Sequence, residues 1–431
     1  SVYPSLSKVL ALRKCALPII QMIEQLENFQ KRLWLKKKFV VETRYCLTLD
    51  RVPESLYAEV CANDAQREEW VKLFAIDEIS QMPAQFYPPP AYSVPLTVEF
   101  LKANQFLLLD TRFFTREFKD RLLASIENLD ESLDGVCFHS ENFQALQLMQ
   151  ERYREQVKCV YIDPPYNTGT DGFPYKDNYQ RASWAMMMLP KLELAKTVLR
   201  SEGAIFASID DYEQASLRYL FNQCFGSDNF LGYFVWRRRA SSALAERLIS
   251  SDHEYVVAFQ KEDFISLGTP KSYSAYSNPD NDSRGDWTLG DLTVGMNKEQ
   301  RPNQFYVLVN PATGKEYPAN PNRVWAYIRE SMDALIQENR IVFPEDTSRR
   351  PMLKRFKSEL KSDVNPVTTW LDEVGLNTEA TKEIQKLLNT SVFVYPKPLS
   401  LLHNIFVSTV KITEIVLDYF AGSGTTGHAV I

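Results

Sequence analysis

Hydrophobic positions follow three different rhythms along the chain. From Ser5 to Lys38 the spacing of Leu10, Leu12, Ile19, Ile20, Met22, Ile23, Leu26 and Leu33 suits an amphipathic helix, interrupted only at Pro18. β-Branched and aromatic residues from Phe39 to Leu49 predict a strand or hairpin, and Pro88-Pro89-Pro90 marks a linker. Residues 1–105 therefore read as a mostly helical accessory arm. Between Leu107 and Gln260 short apolar runs alternate with longer helical stretches. Strands are expected at Gly135–His139, Cys159–Ile162, Ala204–Ile209 and Glu254–Phe259, with helices at Asn142–Gln156 and Trp184–Arg200. This repetition predicts an α/β fold with a doubly wound, mainly parallel sheet. From Lys261 to about Leu388 the alternation gives way to Pro, Asn, Asp, Gly and Trp, so 261–388 reads as an inserted domain of irregular or mixed structure. The α/β pattern returns in 389–431, where Ile412–Leu417 runs as a strand into Asp418-Tyr419-Phe420-Ala421-Gly422-Ser423-Gly424-Thr425-Thr426. One sheet, shared by 106–260 and 389–431, is thus expected to be interrupted by the insertion.

Composition narrows the function classes. A chain of 431 residues with 45% hydrophobic and 24% charged residues allows two or three domains with real cores. Its most apolar early stretch, Val9 to Ile20, is broken by Arg13 and Lys14, so no membrane span or signal peptide is expected. Six scattered cysteines without a CxxC pair read as reduced, mostly buried thiols of a cytoplasmic protein. Cys137 and His139 lack nearby partners, so no metal site is expected. A net charge of −6 argues against a protein that coats nucleic acid, and any DNA contact would need local basic clusters. Lys36-Lys37-Lys38, Arg237-Arg238-Arg239 and Lys354-Arg355 are candidates, although each alone reads equally well as a solvated face. The chain begins at Ser1 and stops at Ile431 where a helix should still be running, so a piece of a longer protein is expected.

Two short segments carry chemistry. Asp163-Pro164-Pro165-Tyr166 follows an apolar strand, at the carboxyl end where open α/β sheets bind ligands. An exocyclic amino group on a nucleobase is a poor nucleophile because its lone pair is delocalised into the ring. Accepting hydrogen bonds from both N–H groups directs that lone pair toward a methyl donor. Asp163 offers one acceptor, and a peptide carbonyl near Pro164-Pro165, held by the fixed proline backbone, offers the second. The carboxylate also stabilises the developing positive charge. Tyr166 supplies a face on which a flipped-out base can stack, a contact worth about 1–3 kcal/mol. By itself the tetrapeptide reads equally as a proline-rich turn with Asp163 as a solvated cap.

The second segment ends a strand in Asp418, followed by an aromatic and Gly422-x-Gly424 before helix-compatible Thr425 and Thr426. Glycines let backbone approach a ligand closely, and a helix start presents free N–H groups to an anion. For S-adenosylmethionine that anion would be its carboxylate, with Asp418 facing the ammonium group and Phe420 near the donor or target base. A phosphate loop would need a lysine that is absent. The spacing of Gly422, Gly424 and Gly427 does fit GxGxxG, so on spacing alone a nicotinamide or flavin enzyme stays open.

Together, Asp163-Pro164-Pro165-Tyr166-Asn167 and the Asp418–Thr426 segment resemble the catalytic and cofactor motifs of amino-methylating DNA methyltransferases. With the catalytic motif first and a long insertion between, the order resembles the permuted β group, and the flanking sequence resembles modification subunits of type III restriction systems. Trp236-Arg237-Arg238-Arg239, His253-Glu254-Tyr255 and Tyr395-Pro396-Lys397-Pro398-Leu399 add to the resemblance, which covers Leu107 to Ile431. It implies that Asp163, Pro164, Pro165 and Tyr166 engage the target adenine and that Asp418, Phe420, Gly422, Gly424, Thr425, Thr426 and Lys397 surround S-adenosylmethionine. Glu141 and Asn142 stand where the family usually carries Asp-Asn, which implies contact with the cofactor's adenine. Aspartate rather than serine at position 163 favours adenine N6. By the same analogy 261–388 recognises the target sequence, Arg237, Arg238 and Arg239 contact duplex DNA, and a homodimer and a restriction subunit are the implied partners. The acidic residue that would grip the cofactor ribose falls beyond Ile431. The alternatives are a methyltransferase acting on cytosine N4 or protein glutamine, and a catalytically silent DNA-binding specificity subunit.

Overall fold

The computed structural model describes residues 12–25, 40–81, 90–169, 181–240, 250–388, 393 and 395–431. They form two compact units, one of Ser1–Ile265 with Thr368–Ile431 and one of Ser266–Val367.

The larger unit is built on a six-stranded sheet. Its central strands are β3 (Val157–Ile162), β4 (Leu199–Ile209), β5 (Phe230–Arg237) and β6 (His253–Gln260), and short strands Trp370–Leu371 and Ile415–Leu417 complete it. The order is Trp370–Leu371, β5, β6, β4, β3, Ile415–Leu417. Ile415–Leu417, β3 and β4 run parallel, as do Trp370–Leu371 and β5, whereas β6 is antiparallel to both β4 and β5. All six residues of β3 are buried, as expected of a strand covered on both faces. On one face the helix Arg181–Val198 inserts Trp184, Met188, Leu192 and Ala195, spaced three and four apart, against Val160, Ile162, Ile205 and Ala207. On the other, Leu401, Leu402, Ile405 and Phe406 of the helix Leu399–Val407 cover Cys159, Tyr161, Phe206 and Trp236. The fold is therefore α/β, with helices on both faces of a mostly parallel sheet.

Several expectations need correction. Gly135–His139 is not a strand: no ladder forms there, and Val136 is exposed. An apolar run of that length becomes a strand only where a neighbour accepts its backbone groups. Residues 12–25 form a helix that continues through Pro18 and lies exposed. Lys36-Lys37-Lys38 and Pro88-Pro89 lie outside the described residues. Cys46–Thr48 (β1) pairs not in a local hairpin but with Leu108–Asp110 (β2). The accompanying core, including Leu49, Trp70, Phe100, Leu109 and Leu122, carries the first folded body past position 105. Cys15, Cys46 and Cys137 are exposed, so the thiols are not mostly buried.

The second unit, Ser266–Val367, lies inside the 261–388 stretch. Residues 370–371 escape it because they pair with β5. An antiparallel sheet of Trp287–Gly290, Met352–Phe356 and Ile341–Val342, with Leu292, Leu308, Tyr317, Trp325 and Met332, forms its core. Lys354 is buried there against Asp280 and Asp282, which removes it from the candidate basic surface and leaves only Arg355 exposed.

Gly203 in β4 shows how closely the sheet is packed. A Cβ at this position would lie 2.9 Å from the Arg200 carbonyl oxygen and 3.1 Å from that of Lys158. Gly203→Ala should cost about 1–3 kcal/mol of stability by overpacking, read as a lower urea midpoint at unchanged m-value. An unchanged midpoint would mean the strand yields freely.

Candidate methyl-transfer site

The two motifs lie at the carboxyl ends of neighbouring parallel strands, β3 and Ile415–Leu417. Asn142, at the start of the helix Asn142–Tyr153, links them to the preceding segment by donating from Nδ2 to the Tyr419 carbonyl at 3.2 Å.

Asp163 has its two carboxylate oxygens in different states. Oδ2 accepts a hydrogen bond from Lys397 Nζ at 2.9 Å, whereas Oδ1 is buried and has no donor among the described residues. Burial pushes the carboxyl up, opposed chiefly by the Lys397 charge and hydrogen bond, with Glu254 pushing it further up. The prolines are also distinguished. Trp184 Nε1 donates to the Pro165 carbonyl at 2.8 Å, while the Pro164 carbonyl receives no donor from the described residues. Tyr166 donates its hydroxyl to Glu254 Oε2 at 2.9 Å, and Lys397 Nζ stands 4.8 Å from its ring centroid. Asn167 takes a left-handed backbone conformation, φ 63°, and its Nδ2 donates to Glu213 Oε1 at 2.8 Å. Glu213 is fully buried and holds the turn that leaves the motif.

Glu254 connects these residues to β5. It accepts from Arg238 at 3.2 Å and lies 3.6 Å from Lys397 Nζ. Burial alone would lower the Lys397 ammonium, but Asp163 and Glu254 together hold it above its ordinary value. Lys397, placed by resemblance in the cofactor set, thus meets the catalytic motif directly.

In the second motif Gly422 and Gly424 have φ of 54° and 78°, a region that favours glycine. A Cβ at Gly424 would meet nothing within 4 Å, so conformation rather than space requires glycine there. Asp418 is occupied internally: Oδ1 accepts from the Phe420 N–H at 2.8 Å and Oδ2 from the Thr426 hydroxyl at 2.6 Å. Thr425 Oγ1 lies 2.8 Å from Ser423 Oγ. Glu141 caps the helix by accepting from the Gln144 N–H at 3.2 Å, 3.7 Å from Lys191 Nζ.

The arginine run divides. Arg237 is exposed and donates to the carbonyls of Arg239 and Ala240, and Arg239 is 4.0 Å from Asp252, whereas Arg238 turns toward Glu254. Sequence reasoning placed neither Glu254 nor Trp184 in the site. An acidic residue opening the apolar run Glu254–Phe259 was the available signal for the first; nothing in the sequence distinguished Trp184 from other core tryptophans.

Residues 157–431 match the N6/N4 methyltransferase family model, described as DNA methylase. The chain belongs to this family. Relatives of the chain include a type III restriction-modification StyLTI Mod subunit of Salmonella typhimurium, 30% identical over 68% of the chain and 49% of that protein. The type II methyltransferase M.KpnI of Klebsiella pneumoniae is 32% identical over 73% of the chain and 80% of its own length. The EcoP15I Mod subunit of Escherichia coli is 26% identical over 68% and 55%. The chain thus spans about half the length of the Mod subunits it matches.

Asp418 sets a pH dependence of the chain's stability. Burial pushes its carboxyl from 3.8 up to about 7, against the bonds from Thr426 and the Phe420 N–H and with Asp163 adding to the rise. A folded value above the unfolded one means stability is full at low pH and is lost as pH rises from about 4 to about 7. Asp418→Asn cannot ionise and should lose less stability than the parent chain between about pH 4 and about pH 7 in urea titrations. Parallel losses would contradict the raised value.

Proposed function

We propose that this chain transfers a methyl group from S-adenosylmethionine to adenine N6 in duplex DNA, as the modification component of a restriction-modification system. The observation that carries this reading is the pair of acceptors at one strand end, Asp163 Oδ1 and the Pro164 carbonyl, that receive no donor among the described residues. An exocyclic amino group has two N–H donors, and two acceptors fixed by a buried strand and a proline backbone match them. Binding there turns the nitrogen lone pair away from the ring. Lys397 keeps the carboxylate charged and oriented, and the ionised Asp163 then stabilises positive charge on the nitrogen. Tyr166, with the Lys397 ammonium over its ring, would supply the aromatic surface on which a flipped base stacks. Pro165 contributes through its carbonyl, which anchors the loop to Trp184.

The glycine-rich turn fits a small zwitterionic cofactor. Its left-handed glycines leave open backbone at Gly424, close in sequence to the Asp418 carboxylate that the Phe420 N–H and the Thr426 hydroxyl orient. Asp418, Phe420, Gly422, Gly424, Thr425, Thr426, Glu141 and Asn142 would hold S-adenosylmethionine, which when bound supplies an electrophilic methyl group. No metal is required for that chemistry. We assign the Ser266–Val367 unit to recognition of the target sequence, Arg237 and Arg239 to the DNA backbone, and a second copy and a restriction subunit as partners. The aspartate at position 163 favours adenine over cytosine.

Asp163→Ala should abolish transfer of labelled methyl to DNA while duplex binding persists, since the carboxylate acts on the amino group. Retained transfer, label on cytosine, or label only in protein would each overturn the assignment.

A further inference from the structure

The buried charges around Asp163 form a closed set with one shared member. Asp163 is held by Lys397 at 2.9 Å, and the same Nζ lies 3.6 Å from Glu254. One ammonium facing two carboxylates will favour the more strongly negative, better exposed to it, unless the other has its own counter-ion. Glu254 has one. Arg238 donates from its NH1 nitrogen to Glu254 Oε1 at 3.2 Å, and from its NH2 nitrogen to the Ser251 carbonyl at 3.3 Å. Its backbone N–H donates to the Asp252 carbonyl and its own carbonyl accepts from Asn377, so the residue is tied at both ends. Its side chain is 25% exposed, against 5% for Glu254, and its Nε is buried. A phosphate contact would need a guanidinium presented to solvent.

We propose that Arg238 is a positioning residue of the methyl-transfer site and not a DNA-backbone contact: by neutralising Glu254 it leaves Lys397 to Asp163. The role rests on the reading of Asp163 as the acceptor of the target amino group. The arginine run is then two functions in adjacent residues, because successive side chains at the end of a strand point to opposite sides. The other ionisable groups acting on Asp163 or Glu254 are Tyr161 and Tyr166 from β3 and its end, and Asp418 from the neighbouring strand end. Both tyrosines stay uncharged near neutral pH, and Asp418, pushed up to about 7, is present in every variant, so the balance among Arg238, Glu254, Lys397 and Asp163 decides the difference between variants.

The test follows the Asp163 carboxyl directly, by carbon-13 NMR of aspartate-labelled protein, with Asp163→Asn to assign the signal. In Arg238→Met, Glu254 should draw Lys397 away and the Asp163 midpoint should rise by about one unit, an opposite charge within reach being worth about 1–3 units. Adding Glu254→Gln to Arg238→Met should return the midpoint toward the parent value, and Arg238→Lys should retain it. Rescue by a second substitution distinguishes charge balance from damaged folding, which a second change would worsen. In parallel, the salt dependence of binding to a mixed-sequence duplex should flatten in Arg237→Met and not in Arg238→Met. An unmoved Asp163 midpoint together with a flattened salt slope in Arg238→Met would overturn the proposal. Failure of the parent reading shows up separately, as methyl transfer surviving Asp163→Ala.

Discussion

One ammonium group organises this site. Lys397 Nζ lies between Asp163 at the end of β3 and Glu254 in β6, and stands beside the ring of Tyr166. Removing such charges from water costs several kcal/mol per ion, and that cost is recovered only when geometry and hydrogen bonding are good. Here Glu254 also takes the Tyr166 hydroxyl and the Arg238 guanidinium, so nearly every lone pair is used. Among the described residues Asp163 Oδ1 is buried without a donor, and Arg238 Nε is buried without an acceptor. An open acceptor held in place by a charged network is what binding of an amino group requires.

The sheet makes that arrangement possible. Parallel strands β3 and Ile415–Leu417 end side by side, which brings the acceptor motif and the glycine-rich turn to one edge. Antiparallel β6 delivers Glu254 to the same edge from the opposite direction, and β5 brings Arg238 after it. Mixed strand direction thus adds residues that an all-parallel sheet would place only through loops. The carbonyl of Pro165 is anchored to Trp184 in the helix that covers β3, so core packing also fixes the turn. The geometry of the turn and the hydrophobic core thus share a residue, Trp184.

Much of this was legible beforehand because it is local. The helix at Asn142, the strands around Cys159 and Ala204, and the strand before Asp418 declare themselves by periodicity, and the glycine requirement at Gly424 is a matter of one residue's φ. The reading failed where a partner was needed. Gly135–His139 has the composition of a strand but no neighbour to pair with among the described residues, and Cys46–Thr48 pairs with Leu108–Asp110 instead of in a hairpin. Lys354 and Arg238 looked like parts of basic surfaces until their carboxylates were seen.

The sequence by itself determined which residues could do chemistry, because Asp163, the prolines, Tyr166 and the glycines act through their own covalent nature. Tertiary structure decided what each is free to do. Lys397 meets Asp163 across 234 residues of chain, Asn142 meets Tyr419 across 277, and Tyr166 meets Glu254 across 88. Contacts at such separations leave no period or spacing in the sequence. They decide that Lys397 holds one oxygen of Asp163 and Trp184 the carbonyl of Pro165, and so which acceptors of this turn are without a donor among the described residues.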